Sequence, residues 1–254
     1  MKKKVCFFLM VVALFCLIFV GCGSSSGDKS YKLSEGNHVL LGPLENADVK
    51  ICELAYSNDY KCVDVKTDKF GKFSFNNSEN WDGNQIVLVV VSGGQDIDAN
   101  DDGVLDDNKI SNHGILHGFA KVSDLVDGKV NITVLSDIVY QYVSHLCSET
   151  TCTLSATDLE NAIETISNKL IATTSTASIN KAATSKYFDT ILKFNPLAIN
   201  DTPLAIDKSI ISELAKMFHL SDIEPYKEKV RNTITSVFRE KGLVLDNSAL
   251  LNLK

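Results

Sequence analysis

The hydrophobic pattern of this chain changes once, near residue 135, and that change limits the folds open to it. Residues 33–135 alternate apolar and polar side chains, turn often and favour β-branched residues, as strands do. Residues 136–254 instead place apolar side chains at helical spacing. Strands followed by helices predict an α+β chain, in which an antiparallel β domain precedes an all-α C-terminal domain.

The sequence around Cys52 and Cys62 predicts an antiparallel hairpin with one consistent register. When the two cysteines are placed opposite each other, apolar residues face apolar residues and opposite charges meet, which is how cross-strand pairs stabilise a sheet. Opposed Cα atoms are close enough for a disulfide bond, so we expect Cys52 and Cys62 to be bonded. This register pairs Val49 with Val65, Lys50 with Asp64, and Ile51 with Val63.

Two segments of the β region resemble a known family. Residues 42–51, which begin Gly-Pro-Leu-Glu-Asn-Ala, are similar to the opening of carboxypeptidase-regulatory-like (transthyretin-like) domains, and residues 67–75 are similar to a turn and strand of the same family. The resemblance covers roughly residues 36–135 and implies an antiparallel β-sandwich that acts as a non-catalytic stalk or binding module. The helical residues 136–254 resemble tails that follow such domains in some bacterial lipoproteins.

Several helices are expected in the second half. A first apolar stripe begins near Ser136, and Thr157 with Glu160 forms a capping box that opens a helix to about Ile171. Further helical spacing is found near residues 186–194, 207–219 and 224–241.

The N-terminus has the pattern of an export signal. Three lysines precede an apolar run from Val5 to Val20, which is too short to cross a membrane comfortably. Residues 19–22, Phe-Val-Gly-Cys, resemble the lipobox of bacterial lipoproteins, although Phe19 stands where Leu is usual. The resemblance implies that residues 1–21 are removed, that Cys22 is lipidated, and that residues 22–32 form a flexible tether. Because Gly23 is not Asp, an outer membrane is the expected location if the cell has two.

The remaining cysteines are consistent with an oxidising compartment. Without the signal and Cys22, four cysteines remain, and an even number in an exported chain indicates disulfide bonds. Three pairings are possible. Local spacing favours Cys52–Cys62 together with Cys147–Cys152.

The charge of the mature chain argues against nucleic acid as a partner. Of 25 basic residues three leave with the signal, so 22 remain against 32 acidic residues, a net charge of −10. An acidic surface repels phosphate backbones. The expected partners are therefore the membrane, through the lipid, and an envelope protein or glycan.

Residues 96–107 form an Asp-rich loop that resembles the DxDxDG calcium loops of EF-hands, dockerins and thrombospondin type 3 repeats. With Asp98 at position one, Gly103 falls at the sharp turn, but position twelve is Lys109 where an EF-hand has Glu. The resemblance implies a structural calcium ion, and the alternative is a solvated Asp/Asn/Gly turn. The implied ligands are Asp98, Asn100, Asp102, the Val104 carbonyl and Asp106, with Asp96 or Asp107 able to fill the gap.

No catalytic pattern was found in the sequence. There is no G-x-S-x-G elbow, no P-loop and no dinucleotide fingerprint. His113 and His117 are spaced as in some zinc sites, but the β context and Gly114 argue against one. We therefore expect a non-enzymatic, calcium-stabilised envelope module. The alternatives are a carbohydrate- or peptide-binding component that uses Trp81, for which core packing is the competing interpretation, and an enzyme with an unrecognised site in the helical half.

Overall fold

The computed structural model describes residues 29–54, 61–148, 156–170, 187–197 and 208–240. The chain divides into two compact units, Met1–Tyr31 and Lys32–Lys254. The first unit lies almost wholly outside the described residues, as do the predicted signal peptide and Cys22.

The strands of the second unit form three small sheets. One has four antiparallel strands in the order β4-β3-β6-β9, one is β10-β1-β5, and one is β2-β7-β8. Strands β1 and β10 run parallel, whereas β1 and β5 are antiparallel. The strands are β1 Asn37–Leu40, β2 Leu44–Glu45, β3 Asp48–Glu53, β4 Cys62–Lys66, β5 Lys72–Phe73, β6 Ile86–Ser92, β7 Gln95–Asp96, β8 Ile110–Ser111, β9 Ile115–Lys121 and β10 Asn131–Thr133.

The four-stranded sheet is built around β6, whose apolar run lies between β3 and β9. A strand with neighbours on both edges and apolar side chains on both faces is expected to be central, and Val87, Val89 and Val91 are fully buried. The predicted hairpin register is confirmed, since Cys52 faces Cys62, Lys50 faces Asp64 and the apolar pairs also match. Phe73 and Phe75 point into the core, as their alternation predicts.

The helices are α1 Val122–Val126, α2 Val134–Ser148, α3 Ala156–Leu170, a π-helical turn Tyr187–Ile191, α4 Lys208–Met217 and α5 Glu224–Glu240. Those after β10 lie at nearly the predicted places, whereas α1, between β9 and β10, was not predicted. Within the described ranges, no helix is both long and apolar enough to cross a membrane.

Helix α2 packs against β9, and a glycine permits the close approach. A Cβ atom on Gly118 would lie 2.7 Å from Ile132 Cδ1 and 3.3 Å from the Ser136 side chain, which real contacts do not allow without movement. The Ser136 hydroxyl lies 2.8 Å from the His117 carbonyl oxygen and donates to it. The helix is thereby joined to the strand by a hydrogen bond as well as by apolar contact.

The predicted fold class, an antiparallel β-sandwich followed by an all-α domain, is wrong. The described residues form a mixed α/β fold in which apolar side chains of the sheets and of the helices belong to one hydrophobic core. Strand β10 enters this core immediately before α2 and pairs in parallel with β1. The physical reason is that an apolar stripe on a helix predicts burial, but it does not say whether another helix or a sheet covers it.

Candidate functional site

The Asp-rich loop joins β7 to β8 and is organised around the side chain of Asp98. The Asp98 carboxylate is fully buried, and its two oxygens accept hydrogen bonds from the backbone N–H groups of Asp102 at 3.1 Å and Gly103 at 2.9 Å. Gly103 has φ +80°, a conformation that glycine adopts without strain, and Asp101 is at φ +56°. The turn therefore falls where the sequence pattern placed it.

The other implied ligands bond to one another or to the backbone of the loop. Asn100 donates from Nδ2 to Asp102 Oδ2 at 3.0 Å, and Asp102 Oδ1 accepts from the Val104 N–H at 2.8 Å. Asp106 Oδ2 accepts from the Ala99 N–H at 2.8 Å. The bonds that Asp102 and Asp106 accept from backbone N–H groups are the local bonds that Asp makes in tight turns.

Asp96 anchors the loop rather than lining it. Its buried carboxylate accepts hydrogen bonds from the Asp98 and Gly42 N–H groups, each at 3.0 Å, and lies 2.9 Å from His219 Nε2. A Cβ atom on Gly42 would lie 2.3 Å from Asp96 Oδ1, so the approach requires glycine. His219 follows α4, and Asp96 therefore connects the loop to the helical part of the fold.

Asp107 is exposed, and Lys109, at position twelve, is paired with Glu45. Among the residues that the structure describes, no group of three or more His, Cys, Asp or Glu side chains is placed to hold a metal ion. The loop turns at Gly103, and the side chains of Asn100, Asp102 and Asp106 bond within the loop. Calcium binding by these residues stays a prediction.

One of the two predicted disulfides is confirmed. The side chains of the other pair lie outside the described residues. Cys52 and Cys62 are joined by an S–S bond of 2.06 Å across β3 and β4. Cys147 is in α2, but its side chain and Cys152 are outside the described residues, and so is the lipidation site Cys22.

A buried cluster around Asp137 was not predicted from the sequence. Asp137 is fully buried, and its Oδ1 accepts hydrogen bonds from the His117 N–H at 3.0 Å and from His117 Nδ1 at 2.8 Å. Its Oδ2 accepts from the Tyr226 hydroxyl at 2.5 Å. Burial, and next the negative charge of Asp137, hold the pKa of Tyr226 well above its usual value, so its hydroxyl keeps the proton that it donates.

The cluster joins β9, α2 and α5, because His117, Asp137 and Tyr226 lie on those three elements. The His117 ring also stacks on Tyr140 at a centroid distance of 3.9 Å. The sequence offers two signals for this cluster: the alternation of β9, which includes His117, and the polar position of Asp137 within α2. Neither signal indicates which residues bond to each other. These bonds place His117 in a network that joins a strand to two helices.

Trp81 packs in the core, which is the alternative to a sugar-binding role for this residue. It is 6% exposed and stacks on Phe75, while the Asn77 side chain bonds to the backbone N–H and carbonyl of Trp81. A sugar-binding face built on this indole is therefore not present. The chain has no match among protein-family models, curated proteins or solved structures.

Proposed function

We propose that the chain is an exported, lipid-anchored envelope protein whose mature part is a non-catalytic structural or binding module. The Cys52–Cys62 disulfide is the observation that supports export most directly. Disulfides form and persist in oxidising compartments and are rare in the cytosol. The bond also joins two paired strands, β3 and β4, where it closes the hairpin.

The N-terminal pattern supplies the proposed anchor. A basic start, an apolar run and Cys22 in a lipobox-like segment precede the glycine- and serine-rich residues 23–27. Two or more acyl chains on one residue hold a protein stably on a membrane, whereas a single chain gives marginal binding. The tether would place the unit that begins at Lys32 outside the membrane surface.

The described side chains support a non-catalytic role. His117 Nδ1 lies within hydrogen-bonding distance of the Asp137 carboxylate, but the neighbouring Ser136 hydroxyl donates to the His117 carbonyl instead of approaching the imidazole as a nucleophile would. Each member of the pair is occupied in holding elements together.

Membrane partition tests the proposed anchor. Wild-type protein expressed in a bacterium should be found in the membrane fraction and enter the detergent phase, and a Cys22→Ser variant should not be lipidated. Cys52→Ser, which leaves the leader unchanged, is the matched control and should still partition with the membrane. Recovery of unprocessed wild-type protein from the cytosol would contradict the proposal.

We also propose that calcium orders the Asp-rich loop. Asp98 already holds the turn, and calcium binding would require the exposed Asp102 side chain and the Asp106 side chain to turn toward it. An affinity of about 10⁻⁴–10⁻³ M is expected, as in other extracellular modules. Millimolar calcium should raise the melting temperature of the wild type and raise that of D102N by less. The control is D64N, because Asp64 is exposed on β4, and its melting temperature should rise as much as that of the wild type. An unchanged melting temperature with no heat of binding would refute the calcium site.

A further inference from the structure

The four-stranded sheet has two edge strands, β4 and β9, and their outer sides differ. The outer side of an edge strand presents backbone N–H and C=O groups that can pair with a strand of another chain. Proteins commonly cover or interrupt such an edge, so an edge that stays open is a candidate interaction surface.

The outer side of β9 is closed by side chains of the helical part. Asp137 Oδ1 accepts a hydrogen bond from the His117 N–H at 3.0 Å, and the Ser136 hydroxyl donates to the His117 carbonyl oxygen at 2.8 Å. Two residues further on, the Tyr187 hydroxyl accepts from the Phe119 N–H at 2.9 Å. The groups through which a further strand would pair with β9 are therefore occupied.

The direction of the β4 backbone groups follows from the bonds that flank this strand. The Glu53 N–H donates to the Lys61 carbonyl oxygen, and the Thr67 N–H donates to the Ala47 carbonyl oxygen, each at 3.0 Å. Because backbone bonds alternate along an antiparallel pair, the odd-numbered residues between these two positions also face β3. The even-numbered residues then point their N–H and C=O groups outward.

Cys62, Asp64 and Lys66 are these even-numbered residues. The Cα atoms of Cys62 and Cys52 lie 4.1 Å apart, which fits the closer, non-bonded positions of an antiparallel pair. Within the described ranges, no hydrogen bond from another strand or from a side chain reaches the outward backbone groups of these three residues. The edge at β4 is therefore open where the edge at β9 is closed.

The side chains of this open edge carry both charges on one face of the sheet. The Asp64 side chain is 75% exposed and that of Lys66 is 66% exposed. Across the hairpin, Lys50 lies opposite Asp64, and Asp48 lies opposite Lys66. Each row therefore ends at the edge in a charge of one sign, and adjacent rows end in opposite signs.

This arrangement of charges is complementary to itself. A two-fold axis that passes through Val65 would place Asp64 of one copy opposite Lys66 of the second copy, and the reverse. Signs would then alternate across both sheets, and opposite charges that face each other stabilise strand pairs. An axis through Asp64 would instead place two aspartates opposite each other, which is unfavourable.

The other face of β4 supplies apolar contact for the same register. Val63 and Val65 lie on that face and are only partly buried against the core. In the register with the axis at Val65, this side chain would meet its own counterpart and lose further contact with water. Charge and apolar contact thus favour one alignment.

We propose that β4 pairs antiparallel with β4 of a second copy of this chain, around a two-fold axis at Val65. The inference extends the proposed binding role by naming the partner, and it does not require the lipid anchor. Such a contact is isologous, so it closes at two copies. Pairing of two short strands buries little area, so the dimer should be weak and should dissociate on dilution.

Cysteine cross-linking tests both the pairing and its register. Val65→Cys would place two thiols directly opposite each other, with Cα atoms about 4.5 Å apart, within the reach of a disulfide. The matched control is Val63→Cys, which changes the same residue type on the same face, but whose counterpart in this register would be Thr67. Full-length protein is purified from whole cells, oxidised with copper phenanthroline in air, and run on a non-reducing gel. We expect a covalent dimer, reversed by reductant, for V65C but not for V63C or the wild type.

Charge reversal tests the cause of the alignment. On the V65C background, Asp64→Lys would set lysine against lysine on both sides of the axis and should weaken association by about tenfold. Adding Lys66→Asp restores opposite signs across the axis and should recover much of the cross-linked dimer. Both positions are exposed, so the variants should fold, and recovery by the second change separates a loss of pairing from a loss of folding.

Four results would overturn the inference. They are the absence of a V65C dimer, equal cross-linking of V65C and V63C, cross-linking that charge reversal does not change, and an adduct of V65C with a different protein instead of a second copy. The mass of the same purified protein shows whether it is lipidated. A lipidated protein that does not cross-link would refute the pairing and leave the anchor standing, whereas an unlipidated protein that cross-links would do the reverse.

Discussion

Individual buried carboxylates connect distant parts of this chain. Asp96, Asp98 and Asp137 are each fully buried, and each accepts hydrogen bonds that compensate for lost water. The sequence pattern indicates that Asp96 and Asp98 belong to a loop, because their neighbours are Asp, Asn and Gly. It could not indicate Asp137, since its partners His117 and Tyr226 lie 20 and 89 residues away.

Removal of the Asp137 carboxylate should destabilise the fold strongly. Asp137→Ala leaves the His117 N–H, the His117 ring and the Tyr226 hydroxyl without their acceptor in the interior. We expect the free energy of unfolding to fall by about 3–5 kcal/mol in urea titrations, as when one partner of a buried polar cluster is lost. Asp48→Ala, which breaks an exposed pair with Lys66, should cost less than about 1 kcal/mol. Similar losses in the two variants would contradict the role of Asp137.

His38 should make the fold less stable as the pH falls. Burial lowers its pKa in the folded chain, whereas the unfolded chain titrates near the ordinary value of about 6.5. Between these pKa values the unfolded state binds more protons, so stability is present above about pH 6.5 and declines below it. The drop in melting temperature between about pH 7.5 and 5.5 should be larger for the wild type than for H38Q, which does not titrate there. Equal drops would show that His38 is not protonated on unfolding.

Among the secondary-structure elements, those with strong local patterns were predicted best. The β3–β4 register follows from charge and apolar pairs that only one alignment satisfies, and the helices of the second half follow from their apolar spacing. Short elements were harder. Strand β10 has three residues and α1 has five, so neither offers enough repeats to show a period.

The disulfide of this hairpin should contribute measurably to stability. Cys52 and Cys62 are ten residues apart, and closing a loop of that length is worth about 2–3 kcal/mol. A C52A/C62A double variant should lose about that amount in urea unfolding relative to the oxidised wild type. A reductant should destabilise the wild type more than the variant, in which the expected Cys147–Cys152 bond is the one left to reduce. If it destabilised both equally, the bond would not be the cause.

At the scale of the whole molecule, the sheets and helices share one core. Tyr187, on the π-helical turn, accepts a hydrogen bond from the Phe119 N–H of β9 at 2.9 Å, and Gly114 leaves room for the Phe218 ring. These contacts link residues on either side of the expected boundary at residue 135. The change of pattern there is real, but it marks where one kind of element follows another rather than a border between domains.

A shared core predicts one cooperative unfolding transition. Trp81, the chain's one tryptophan, reports on the β region by fluorescence, and far-ultraviolet circular dichroism reports mainly on the helices. The two signals should give the same midpoint in urea, as in a two-state transition. Separate midpoints would show that the helices unfold independently of the sheets.

The central functional claim is that the chain is exported and anchored through Cys22. Mass spectrometry of protein extracted from membranes tests this most directly, because trypsin cleavage after Lys29 releases residues 22–29 as one short peptide. The account predicts that this peptide begins at Cys22, with lipid on the sulfur and an acyl group on the amine. An unmodified Cys22, or a peptide that still includes residues of the leader, would contradict it.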